Sequence, residues 1–293
     1  MNKKNNRAKA CNEMIQSLNV SDEVKEGLYK IEKAASSGNQ LIKSVVKDLF
    51  ISCPSCKELS KIAKCYERII TCNSVYPVRG TRTYLELAFP SSGKDKDYME
   101  FFASPKLAAA TQNCFTGVFL ISFEQWSGAN ELIRNPAFNE LVKFINDNKS
   151  HISFVFHVKP EFMEQKVLLN EFSKYVNLYV MEHTLPDMGM AFKFVETKLN
   201  ESGIELNKAG KQELKKLLED KLDMGASTYK GYQTLERFAS NLQFELYVQK
   251  GMGFGNKKKT TSCLIGKNEV RMISNSISMP DETISCKGKL GFN

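Results

Sequence analysis

The sequence predicts an α/β protein, with a three-layer parallel sheet followed by a small all-helical domain. Three observations predict it. Apolar runs of strand length alternate with amphipathic stretches of helix length, the pattern of successive βα units. The most apolar run, GVFLISF at 117–123, is hydrophobic on both parities, as a central strand covered on both faces must be. After Pro186 the strand-like runs stop, and helical patterns follow over 187–202, 207–222 and 230–249.

Taken in order, residues 8–47 read as helical and amphipathic, with Ser21 as an N-cap before the acidic first turn of Asp22, Glu23 and Glu26. Leu49–Ile51 reads as a short buried strand. Leu59, Ile62, Ala63, Tyr66 and Ile70 recur at helical spacing over 57–70. YLELAF (84–89) alternates like a strand, SSGKDKD (91–97) is a loop, and a helix follows over 98–112. Beyond the 117–123 strand come a helix over 134–147, the strand ISFVFHV (152–158), a helix over 160–173 and a short strand at 178–181. The segment GMGFGNKKKTTS (251–262) has the composition of a linker, and the tail is too poor in hydrophobics for a further domain. The expected organisation is an N-terminal helical segment (1–45), an α/β domain (46–184), a helical domain (185–250), and a linker and tail (251–293).

Composition narrows the function classes. With 42% hydrophobic and 25% charged residues in 293, the chain can build a real core. No apolar run approaches the ~20 residues a membrane span needs, so no membrane partner is expected. MNKKNNRAKACNEMIQ has no apolar stretch of the signal-peptide kind, and the eight cysteines are then expected as reduced thiols in the cytoplasm. The net charge of +8 is dispersed apart from NKKKTT (256–261), and the aromatics form no ladder with Lys and Arg. Nucleic acid is therefore not the expected partner.

One stretch raises a chemical question. In DLFISCPSCKELSKIAK (48–64) a strand enters a tight turn and a helix leaves it. Such turns hold phosphates on backbone N–H groups, and Cys53-x2-Cys56 is half of a zinc knuckle that Cys65 and Cys72 could complete. A C-x2-C pair normally meets a second pair, whereas Cys65 and Cys72 stand alone, so no metal is expected. GMGFGNKKKT also mimics a phosphate loop, but Asn256 stands where the second glycine belongs.

The layout resembles that of AAA+ ATPases, and several stretches are similar to the branch around stage V sporulation protein K and the red-type Rubisco activase. Residues 152–207 carry the strongest likeness: Met163, then SKY (173–175) where the family has SRF, Leu185-Pro186-Asp187, the helix around Phe194, and Gly203-Ile204-Glu205-Leu206. GVFLISFEQWSG (117–128) stands where the family has its second ATPase strand, and KLGF (289–292) resembles the family's ending.

The resemblance implies ATP and Mg²⁺ as cofactors, and it can be tested against the residues. At the phosphate loop, Ile51 and Cys56 occupy the glycine positions, beside Ser55; Lys57 is retained, and Glu58 replaces the Mg²⁺-binding hydroxyl. Residues with a Cβ resist the positive φ such loops use, and a carboxylate there repels nucleotide. The metal-holding Asp becomes Ser122 and the catalytic Glu becomes Phe123, with Glu124 one residue along. The arginine finger becomes Lys174, which lacks a planar fork. The lid's phosphate-reaching motif becomes Gly231-Tyr232-Gln233-Thr234, with Arg237 further on. His157 stands where the family senses phosphate, or is an ordinary buried histidine. The expected function is a non-hydrolysing AAA+-like subunit or regulator, assembled with itself or with an active paralogue. The alternative is a divergent ATPase using Lys57 and Glu124.

Overall fold

The structure, a computed structural model, describes residues 3–37, 46–54, 56–73, 84–89, 95–112, 117–226, 229–249, 263–274 and 276–277. The chain divides into two compact units, one built on Met1–Thr184 and the other on Leu185–Cys286.

In the first unit, β1 (Asp48–Ser52), β2 (Tyr84–Ala88), β3 (Val118–Ser122), β4 (Ser153–Val158) and β5 (Leu178–Glu182) form one parallel sheet in the order β2-β3-β4-β1-β5. The predicted three-layer parallel α/β architecture is the one observed. Interior strands β1, β3 and β4 are buried at every position, which explains their lack of polar alternation. Edge strand β2 keeps an alternating face.

Alternate strand residues feed two cores. Leu49, Ile51, Val118, Leu120 and Val155 pack with α1 (Lys3–Ser17), α2 (Asp22–Ser37) and α3 (Cys56–Asn73). Phe50, Phe119, Ile121, Phe154 and Phe156 pack with α4 (Asp95–Phe102), α5 (Pro105–Gln112), α6 (Ala129–Arg134), α7 (Pro136–Asn148) and α8 (Gln165–Ser173). The phenylalanines there interlock: Phe156 stacks on Phe172 at 4.1 Å between ring centroids and Phe119 lies 5.2 Å from Phe144.

Two predicted helical stretches are each divided in two, for local reasons. The 8–47 pattern breaks just before Ser21, whose carbonyl accepts the Lys25 N–H at 3.2 Å. The 98–112 pattern breaks at Ser104, whose hydroxyl accepts the Leu107 N–H while Pro105 starts the new helix. The predicted 134–147 helix is α7, whose start Asn135 caps before Pro136 by accepting the Ala137 N–H at 2.9 Å; α6, just before it, was not predicted.

The second unit contains α9 (Met188–Glu201), β6 (Ile204–Leu206), α10 (Lys208–Lys221), α11 (Tyr232–Gln249), β7 (Cys263–Ile265) and α12 (Lys267–Ile273). Asp187 and Asn207 cap α9 and α10 by accepting the Met190 and Gly210 N–H groups. The all-helical expectation needs correction, because β6 and β7 pair in parallel. Three-residue strands are too short to show a period. Ile265, Val270, Ile273 and Ile277, all beyond residue 250, join this unit's core. Gly203, at φ 77°, turns the chain from α9 into β6. The readings of 251–262 as a linker and of 289–292 as a family ending lie outside the described residues.

Candidate functional site

The strand order reverses direction between β1 and β4, the point at whose carboxyl ends open α/β sheets place their binding crevice. β1 leads through α3 to the far edge strand β2, whereas β4 leads past β1 to β5. Connections thus leave adjacent strand ends in opposite directions, the arrangement that brings ligand-binding groups together in open α/β sheets. Register brings the predicted residues there: Ser122 lies opposite His157, and Ser52 lies opposite Val158 and Glu182.

Two buried polar chains occupy this edge. In the first, Ser122 Oγ lies 2.7 Å from His157 Nδ1, and His157 Nε2 lies 2.7 Å from the Cys53 carbonyl. A carbonyl only accepts, so Nε2 carries the proton and Nδ1 accepts from the Ser122 hydroxyl. His157 is 1% exposed, and burial pushes its pKa below the ordinary histidine value, which keeps the ring neutral. The position expected to hold Mg²⁺ is thus tied through a histidine to the turn expected to hold phosphate.

The second chain was not foreseen. His183, just past β5, places Nε2 2.7 Å from Glu58 Oε2, and its Nδ1 accepts the Ser21 N–H at 3.2 Å. The Ser21 hydroxyl lies 3.2 Å from the same nitrogen. Glu58 and His183 are 1% and 0% exposed. Glu58 stands in the first turn of α3, where free N–H groups and the helix dipole favour an anion. The chain supplies that anion itself. No local pattern announced His183, because its partners come from α3 and from the segment before α2.

The other predicted residues divide. Lys57 is exposed on the first turn of α3, and Glu124 is half-buried in the turn after β3. Phe123, in the catalytic-glutamate position, is a core residue 5.4 Å from Phe89 and stacked on Phe172 at 5.6 Å. Lys174 ends α8, exposed, and pairs with Glu171. Cys56 begins α3, whereas Ser55 and the side chain of Cys56 lie outside what is described. In the second unit Thr234 Oγ1 accepts the Lys230 N–H at 2.8 Å, and Tyr232 meets Phe194 edge-on. That motif builds the start of α11.

The zinc knuckle does not assemble. Cys56 and Cys72 stand at opposite ends of α3, roughly 24 Å apart at ~1.5 Å rise per residue. Ligands of one zinc all lie about 2.3 Å from the metal. Among the described residues no cluster of three or more His, Cys, Asp or Glu could hold a metal, and no helix is long and apolar enough to cross a membrane.

No protein-family model and no curated protein matches the chain. Similar solved structures include the FIGL-1 AAA domain, 11% identical with a TM-score of 0.49, covering 91% of this chain and 84% of that one. PCH-2 of C. elegans is 12% identical with a TM-score of 0.49, covering 90% and 70%. The RuvB Holliday junction branch migration motor of Thermotoga maritima is 12% identical with a TM-score of 0.46, covering 88% and 70%.

Proposed function

We propose that this chain is an AAA+-like pseudo-ATPase: a non-hydrolysing subunit or regulator that assembles with itself or with an active AAA+ paralogue. One observation carries the reading. The residue in place of the Mg²⁺ hydroxyl, Glu58, is a buried carboxylate committed to His183. Accommodating a triphosphate there would mean breaking that pair and placing phosphate charge beside a carboxylate. The Ser122–His157–Cys53 chain adds to it, since groups that would serve a ligand satisfy one another. Phe123, in the core, offers no base for an attacking water.

The second unit then serves as the helical lid, and Lys174 remains as an exposed cation for a neighbouring subunit. Two experiments test the reading. Saturating ATP–Mg²⁺ leaves the melting temperature unchanged, whereas a ligand at 100 times its Kd stabilises by about 2.7 kcal/mol. A shift of several degrees that disappears in Lys57→Ala would instead establish the divergent ATPase using Lys57 and Glu124. Light scattering at increasing concentration, and capture with an AAA+ partner, test assembly; a monomer that captures none sinks the subunit role.

A further inference from the structure

Away from the strand ends, α1, α2 and α3 bring three thiols together on one face of the sheet. Cys11 on α1 and Cys65 on α3 are 1% and 2% exposed. Cys72, in the last turn of α3, is half-buried and packs against the same cluster. The Cys11 and Cys72 thiols are near enough to interact, with Cys65, Glu32 of α2 and Arg68 of α3 as the other titratable neighbours. Cys11, Cys65 and Cys72 are all unbridged thiols. Two cysteines far apart in sequence, on two helices packed in one apolar cluster, thus lie within interaction range of each other.

We propose that Cys11 and Cys72 are a peroxide-responsive pair whose disulfide staples the N-terminal helix to the end of α3. Cys72 is the one an oxidant reaches, being partly exposed. Its thiolate attacks hydrogen peroxide, a sulfur–oxygen bond forms as the oxygen–oxygen bond breaks, and water leaves. The sulfur of Cys11 then attacks the Cys72 sulfenic acid. The sulfur–oxygen bond breaks, and hydroxide leaves with the Cys11 proton as a second water. Two thiols and one peroxide give one disulfide and two waters. Burial pushes the Cys11 thiol up to about 12, so it does not compete for the oxidant, and in the second step its proton passes to the departing hydroxide.

The consequence reaches the strand-end site. α3 starts at the turn that carries Glu58, and the α1–α2 junction carries Ser21; both meet at His183. A bridge between α1 and α3 closes a long loop in the unfolded chain and holds these two elements together. This role is independent of the pseudo-ATPase reading.

The test is a non-reducing peptide map of the full chain after hydrogen peroxide and alkylation. The expected product is a Cys11–Cys72 linked peptide that dithiothreitol releases, with a melting temperature several degrees above that of the reduced chain. Cys65→Ser keeps the linked peptide, Cys72→Ser loses it, and Cys11→Ser leaves Cys72 trapped by dimedone as the sulfenic acid. A wild-type map showing Cys11 linked to Cys65, or Cys11 unbridged while Cys72 proceeds to sulfinic acid, overturns the proposal.

Discussion

Replacing His183 by alanine tests the strand-end arrangement most directly. The substitution removes the donor 2.7 Å from the Glu58 carboxylate and the acceptor of the Ser21 N–H, in a site with no solvent access. Breaking a buried pair by deleting one partner costs about 3–5 kcal/mol, because the other charge is left uncompensated. The lost Ser21 hydrogen bond adds about 1 kcal/mol. For a unit of this size each kcal/mol lowers Tm by roughly 2–4 °C, so a fall of about 10–20 °C is expected in the first unit. Trp126, the sole tryptophan, is buried in that unit and reports it by fluorescence in heat and urea. The companion is a double-mutant cycle with Glu58→Leu and His183→Phe. Replacing both polar partners by apolar ones leaves no orphaned group, so the double variant should lose less than the sum of the singles by at least about 2 kcal/mol. A His183→Ala loss below about 1 kcal/mol, or strict additivity in the cycle, would refute the buried pair.

Other outcomes follow from the same geometry. His157 has a folded pKa below its ordinary 6.5, so below that value the unfolded chain takes up protons that the folded chain refuses. Its contribution to stability is whole above pH 6.5 and falls as pH drops; His157→Gln should flatten the unfolding free energy between pH 6.5 and 5, and an unchanged slope counts against the neutral ring. Glu32 behaves oppositely, since burial raises its pKa and ionisation costs stability as pH rises. Glu32→Gln should therefore raise Tm at pH 8 and do little at pH 4. In the second unit a Cβ at Gly210 would sit 2.7 Å from the Ile265 carbonyl, backbone that cannot swing aside. Gly210→Ala should destabilise this unit despite a helix-propensity gain of about 1 kcal/mol, whereas at Gly27 the nearest atom is the flexible Met181 methyl and the loss should be smaller. Elemental analysis should find no stoichiometric zinc; one equivalent would contradict the separation of Cys56 from Cys72.

How much of the site was legible follows from where its partners lie in sequence. Ser122, His157 and Glu58 stood out because each falls at a defined point of a strand–turn–helix unit, and register alone brings Ser122 opposite His157. That His157 is a closed link, with Ser122 on one nitrogen and the Cys53 carbonyl on the other, depends on three chain segments meeting. Local caps were misjudged for a different reason. Ser104 interrupts a pattern read as one helix over 98–112, so periodicity hid the break.

The sequence by itself determined the layered architecture of the first unit, since apolar runs on both parities have no stable place except inside a covered parallel sheet. It also determined that the turn after β1, at the place where the resemblance puts a phosphate loop, lacks glycines and is followed by a carboxylate, Glu58. The β6–β7 pair, the approach of Cys11 to Cys72, and the engagement of Glu58 by His183 were decided only by tertiary structure. Each joins residues far apart in the chain through a few polar or sulfur atoms. A contact of that kind leaves no period in the sequence, because its energy comes from burial that other elements provide.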